Sequence, residues 1–198
     1  MSILPIYLFG TEILKKKAKQ VESLDDSTVK LIYDMFETMH EANGIGLAAT
    51  QVGDIRRVIT IDIGEDTEPS AEGETEDQLH PTSPGLPRTL ALINPEVLSE
   101  EGQWTVEEGC LSLPKLHGDV ERAEKVKVRY HDTEFKVQEI LADGLLARVI
   151  LHELDHLNGV LFVDRMSKAK RSLLLPKLRK IRKGEIEVDY PVVTVEEE

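Results

Sequence analysis

The chain has 198 residues, a net charge of -13, 40% hydrophobic and 31% charged residues, a length and balance that suit one globular domain rather than two. No apolar run approaches the ~20 residues of a bilayer span, and the start, Met1-Ser2-Ile3-Leu4-Pro5-Ile6-Tyr7, has neither a basic n-region nor an extended apolar stretch, so a cytoplasmic location is expected. The single cysteine, Cys110, excludes an intramolecular disulfide framework and fits a reducing compartment.

Ser27 to Ala42 reads as an amphipathic helix, because Val29, Ile32, Tyr33, Phe36 and Met39 recur at three- and four-residue steps. Asp25, Asp26 or Ser27 can cap its start, and Asn43-Gly44 stops it. The stretch from Gly44 to Gly53, GIGLAATQVG, is too rich in glycine and small residues for a stable helix. Arg57 to Ile63 alternates and is β-branched, which predicts a strand. From Gly64 to Arg88 the chain carries seven acids and almost no large apolar residue, and it reads as a long surface excursion within the domain. Leu90 to Leu98 and Lys125 to Tyr130 predict further strands. Strands first, with helices inserted rather than regularly alternating, argue for an α+β fold with mainly antiparallel sheets.

Gly144 opens a helix that ends at Asn158-Gly159 and carries His152-Glu153-Leu154-Asp155-His156. On a helix, positions i and i+4 share a face, so the two imidazoles can bind one ion. Glu153, about 100° further round, is poorly placed as a ligand but can reach a water beside the ion, the arrangement of metal-assisted hydrolysis. The alternative is a solvated helical face with two histidines. The apolar residues Leu145, Leu146, Val149, Ile150, Leu151, Leu154 and Leu157 favour burial, and buried His and Glu need partners that a metal supplies.

After the motif, Val160-Leu161-Phe162 predicts a short pairing strand, and a C-terminal helix follows in which Pro176 should break or kink the backbone. Residues Arg165 to Lys183 hold nine Lys or Arg and no acid, either the solvated face of that helix or a surface for RNA phosphate.

A catalytic site of the zinc type takes three protein ligands. No histidine follows His156, and the acids available downstream are Asp164 and those of the far tail from Glu185, which weakens the ordinary metalloprotease reading and leaves Cys110, in Glu108-Gly109-Cys110-Leu111-Ser112-Leu113-Pro114, as the best candidate for the third. An inert buried thiol and a nucleophile are the other readings of a lone cysteine.

Three motifs now coincide. GIGLAATQV at 44–52, EGCLSLP at 108–114 and HELDH at 152–156 stand in the order and at the separations of peptide deformylases, which the chain resembles as far as about Met166. The resemblance implies antiparallel sheets packed around a central helix that carries HExxH, with a catalytic domain at 1–166, acidic excursion included, and a basic helix and acidic tail at 167–198. It implies Cys110, His152 and His156 as metal ligands, Glu153 as general acid/base, and the Gln51 amide and Leu111 N–H as oxyanion donors. Ile45 and Gly109 would pair with an extended peptide. Gly44, Ile45, Val106 and Glu108 from the first half, with Leu145, Arg148 and Val149 from the helix, would line the substrate's methionine pocket, and Gly46 would join the substrate-binding residues. Arg122 would steady the cysteine loop through Glu108.

The implied activity removes formyl from the N-terminal methionine of nascent polypeptides, releasing formate. Its metal would be one Fe2+ per chain, with Zn2+, Ni2+ or Co2+ as substitutes, and its partners formylmethionyl peptides; the charge of Arg165–Lys183 adds the expectation of docking on the ribosome, with no membrane or DNA partner. Leu151 stands where the family usually has Gln, Lys115-Leu116-His117 departs from the common forms, and the acidic excursion is longer than usual. The competing readings are a zinc peptidase or amidase acting on unformylated substrates, and a non-catalytic ribosome-associated metalloprotein.

Overall fold

The computed structural model describes residues 2–64 and 82–195. Most of the expected acidic excursion, at 65–81, lies outside the described residues, as does 196–198 at the end of the expected acidic tail. The elements run β1 (Ile6–Tyr7), α1 (Asp26–Glu41), β2 (Gly46–Ala48), β3 (Val58–Asp62), β4 (Thr89–Glu101), β5 (Trp104–Gly109), β6 (His117–Arg122), β7 (Lys125–His131), β8 (Val137–Asp143), α2 (Gly144–Leu157), α3 (Phe162–Arg165), α4 (Lys168–Arg182) and β9 (Val192–Val193). Single 3-10 turns lie at Ile13–Lys15 and Ala49–Val52.

Alternation builds the main sheet. In β7, Val126, Val128 and Tyr130 are buried on one face while Lys125 and Arg129 are exposed on the other. Five strands join in the order β2-β3-β4-β7-β8, each pair antiparallel. The ladder between β4 and β7 is irregular between Ile93 and Glu96. Pro95 has no N–H to give there, and Asn94, at φ +53°, turns its side-chain amide to the Val21 backbone, with 2.8 Å bonds to both N–H and C=O.

The central helix lies on the buried face of this sheet. Leu146, Ala147, Ile150 and Leu154 of α2 join Ala48, Ile59, Ile61, Leu92, Val126 and Val128 in one apolar cluster. A second cluster sets Leu31, Ile32, Met35 and Met39 of α1 against Leu47, Val58 and Ile93. Asp25 caps α1, its carboxylate accepting from the Thr28 N–H at 2.7 Å, and the Thr28 and Ser27 bonds push its pKa down to about 2.

The hairpin β5-β6 stands apart from the sheet, pairing from Trp104↔Arg122 to Gly109↔His117. Its Val120 packs with Leu113, Leu116, Phe162, Leu178 and Ile181, so α3 and α4 are anchored beneath it. After α4 the chain returns, and β9 pairs in parallel with β1, an exception to the antiparallel rule.

Two expectations are corrected. Residues 162–165 form a helical turn, α3, instead of a pairing strand; Asp164 accepts from the Leu161 N–H at 3.0 Å, a local cap that competes with any ladder. Of the break or kink expected at Pro176, the break is absent: the last helix runs continuously through it. The proline is on the exposed face, where water serves the carbonyl that loses its partner, while Leu178 and Ile181 hold the helix down beyond it.

Candidate metal centre and active-site cavity

Cys110 follows the last residue of β5. The Gly109↔His117 pair closes the hairpin, and the loop between folds on itself through Leu113 N–H to the Cys110 carbonyl at 2.9 Å and Leu116 N–H to the Leu113 carbonyl at 3.2 Å. This turns the cysteine sulfur toward α2. There His152 and His156 lie one turn apart with ring centroids 5.1 Å from each other. The Cys110 Sγ is 3.2 Å from His156 Nε2, and one donor atom from each of the three residues lies within 4.8 Å of the others.

Glu108 organises the surroundings. Its carboxylate is buried and accepts from the Arg122 fork at 2.6 and 2.9 Å, from Arg148 at 2.9 Å and from His152 Nδ1 at 2.9 Å. Burial alone would raise this carboxyl, but the His152 and Arg122 bonds outweigh it and hold it well below the usual carboxylate range. With Nδ1 engaged, His152 keeps Nε2 as its free ring nitrogen, the tautomer that metal ligation uses. Arg122 also donates to Asp155 at 2.7 Å, and Asp155 accepts from Arg165 at 2.5 and 3.0 Å. One charged network thus joins hairpin, α2 and α3.

Glu153 reaches the centre from the next position round the helix, 3% exposed. Its Oε1 lies so close to β2 that a Cβ on Gly46 would be 2.6 Å from it and 2.7 Å from Val149. Only glycine allows that approach. Burial pushes the Glu153 carboxyl up to about 7. Burial also drives His156 well below the usual imidazole range, whereas on His152 the Cys110 and Glu108 bonds overcome burial and raise it.

Gln51, from the turn after β2, has its amide fixed at both ends. Oε1 accepts from the Ala48 N–H at 2.8 Å, and Nε2 donates to Ser112 Oγ at 3.3 Å and to the Cys110 sulfur at 3.7 Å. The same turn is tied to α2 by Thr50 Oγ1, which donates to the His156 carbonyl at 3.1 Å.

These groups open into one cavity of about 580 Å³. It is lined by Gly44, Ile45 and Gly46 where the chain enters β2, by Val106, Glu108 and Gly109 of β5, and by Leu145, Arg148 and Val149 of α2. Gln51, Leu111, Cys110, His152 and Glu153 also face it, while His156 and Arg122 stand behind the wall. Arg148 spends its guanidinium on Glu108, the Val120 and Trp104 carbonyls and the Trp104 ring, 4.8 Å away. Sequence reasoning overlooked Asp155, Arg165 and Tyr190. Asp155 sits inside the HELDH motif and was visible there, but its partners come from distant elements. Nothing in the local pattern singles out Tyr190.

A divalent ion fits this donor set. One sulfur and two imidazole nitrogens converge as a transition metal requires, and Glu153 Oε2, from a residue lining the same cavity, is a buried polar atom without a partner among the described residues.

Comparison with known proteins places these features in context. The family model described as Polypeptide deformylase matches residues 3–172. The peptide deformylase of Salinibacter ruber is 43% identical over 198 residues, covering 99% of this chain and 97% of that one. That of Caldanaerobacter subterraneus is 45% identical over 166 residues, covering 84% and 91%. Among solved structures, a peptide deformylase from Legionella pneumophila matches with a TM-score of 0.77, 40% identity and 93% and 98% coverage. One from Synechococcus elongatus in complex with actinonin matches with 0.73, 38%, 96% and 92%.

Proposed function

The chain belongs to the peptide deformylase family, and from that membership we propose how its own residues carry the family's reaction. The protein is a metal-dependent hydrolase that removes the formyl group from the N-terminal methionine of nascent polypeptides. Cys110, His152 and His156 hold the metal. A divalent ion bound there supplies Lewis acidity toward water and the formyl oxygen. Glu153, raised to about 7 by burial, takes a proton from the attacking water and returns one to the departing amine. The Gln51 amide and the Leu111 N–H meet the negative charge that grows on the formyl oxygen. Ile45 and Gly109 offer backbone groups to an extended peptide, Gly44 and Gly46 let Leu111 and Glu153 close in beside it, and Val106, Leu145 and Val149 accept the methionine side chain. Glu108, with Arg122 and Arg148, keeps His152 and the cysteine loop in place. The formyl carbon carries only hydrogen, so a tight site admits it and rejects larger acyl groups.

The convergence of Cys110, His152 and His156 within 4.8 Å, with Glu153 in the same cavity, carries this reading. Its test is formate release from a formyl-Met peptide by anaerobically purified protein, with metal analysis of the same sample and an acetyl-Met peptide as control. Formate, one metal per chain and no acetate are expected. A fully metallated protein that releases no formate overturns the assignment of roles.

Ferrous iron is the proposed metal, with zinc, nickel and cobalt as functional substitutes; the soft sulfur and two nitrogens accept all four. Activity that survives air as well as it survives anaerobic handling would count against iron. The proposed setting is the cytoplasm, at the ribosome. Among the described residues no helix is long and apolar enough to cross a membrane, and the cationic stretch Arg165–Lys183 suits RNA phosphate. Residues 1–166 form the catalytic unit, and 167–198 add that basic surface. Because Leu178 and Ile181 are core residues, the docking test is Lys177→Glu with Lys180→Glu, both exposed, rather than truncation. Unchanged co-sedimentation with ribosomes at low salt would sink the idea.

A further inference from the structure

Tyr190 lies outside every motif and yet reaches the cysteine loop. Past α4, Gly184 at φ +68° turns the chain back, and the Glu185 N–H closes on the Lys180 carbonyl at 2.9 Å. The returning strand is held against β1 by Ile6 N–H to the Pro191 carbonyl and Leu8 N–H to the Val193 carbonyl, both 2.9 Å. This lays Val188, Asp189 and Tyr190 along the cavity rim. There the half-buried Tyr190 hydroxyl donates to the Leu111 carbonyl at 2.8 Å.

Leu111 is gripped from several sides. The Phe9 N–H donates to the next carbonyl, that of Ser112, at 2.9 Å, and Gln51 holds the Ser112 hydroxyl. The Leu111 side chain fills the space above Gly44, where a Cβ would stand 2.8 Å from its Cδ1. The two peptide units flanking a Cα are coupled through φ and ψ alone. Fixing the carbonyl of Leu111 and its side chain therefore restricts where its N–H points.

We propose that Tyr190 is a positioning residue for deformylation: from the segment beyond α4, its hydroxyl holds the Leu111 peptide so that the Leu111 N–H stays aimed at the formyl oxygen. This rests on the donor roles assigned above to Leu111 and Gln51. The Tyr190 hydroxyl acts through the Leu111 carbonyl it donates to, and its effect is one of angle at a developing charge, where a misplaced donor lowers turnover more than binding.

The test compares wild type, Tyr190→Phe and Gln51→Ala as full-length, metal-loaded enzymes on formyl-Met-Ala peptide, with metal content and Tm recorded. Tyr190→Phe keeps the ring and removes one neutral hydrogen bond, so kcat should fall about 3- to 10-fold with KM within about twofold and one metal per chain. An unchanged kcat overturns the proposal, as does a fall in kcat that merely follows loss of metal. A rise in KM at constant kcat also overturns it, leaving Tyr190 as a wall of the cavity only. Gln51→Ala separates the layers. If it cuts kcat while Tyr190→Phe does not, only the Tyr190 inference fails; if it leaves kcat intact, the donor reading falls and the inference with it.

Discussion

Glycine at position 46 is what lets Glu153, the proposed general base, stand where it does, since a methyl group there would lie 2.6 Å from Glu153 Oε1. Gly46→Ala should therefore leave one metal per chain and lower kcat by about tenfold or more through displacement of the base, checked by metal analysis alongside steady-state kinetics. Glu153→Ala removes the base itself and should cost about 10²- to 10⁴-fold in kcat with the metal retained; turnover near wild type would overturn its role. At this scale the sequence was most legible. The spacing of His152, Glu153 and His156 follows from helical geometry alone, and Cys110 had few competitors as a third ligand. The charged network was less legible: the resemblance pointed to the Glu108–Arg122 contact, but Asp155 and Arg165 enter it only through the docking of hairpin on helix, which no local pattern encodes.

Among elements, the hairpin β5-β6 went unread for a physical reason. Its burial does not follow apolar alternation, because Glu108 and Arg122 are buried as a pair, and a strand that buries charge looks in sequence like a loop. That pair fixes the hairpin on α2. Arg122→Ala would remove the cation that Glu108 and Asp155 share, leaving Glu108 to Arg148 and His152 and Asp155 to Arg165, so a loss of about 1–3 kcal/mol in unfolding free energy is expected, measured by urea melts. The last helix depends on a more exposed contact. Asp164 accepts from Lys15 and pairs with Arg171, at 2.7 and 2.8 Å. Burial raises its carboxyl, yet the Lys15 and Leu161 bonds and the two cations outweigh that and hold it below its ordinary 3.8. A depressed carboxyl stabilises the fold in full above 3.8 and progressively less as pH falls below it. Asp164→Asn should cost about 0.5–1 kcal/mol at pH 7, with the gap to wild type closing below 3.8 in pH-dependent thermal melts. Pro176 misled for a related reason: the rule against proline in helices assumes a carbonyl with nowhere to turn, and on an exposed face it turns to water.

For the molecule as a whole, α+β architecture followed from the order of strands and helices, and two of the three apolar clusters from periodicity in α1, α2 and β7; the third, beneath the hairpin, gathers residues mostly from loops and short elements that carry no such period. The parallel pairing of β1 with β9 did not, because two-residue strands carry no period to detect. The hairpin and α2 are separate constructions that meet chiefly at the charged network and the three proposed ligands. Cys110 and His156 are 46 positions apart, so an ion held by both ties a large loop shut, much as a disulfide would. Closing a loop of that size restricts the unfolded chain by about 4 kcal/mol on the entropy model used for cross-links. Chelation should accordingly lower Tm by many degrees and loosen the hairpin before the sheet, seen as earlier amide exchange at β5 and β6 than at β3 or β7. The ion that activates water would then double as the staple of the tertiary structure, and a cell short of metal would be left with a floppy chain as well as an idle one.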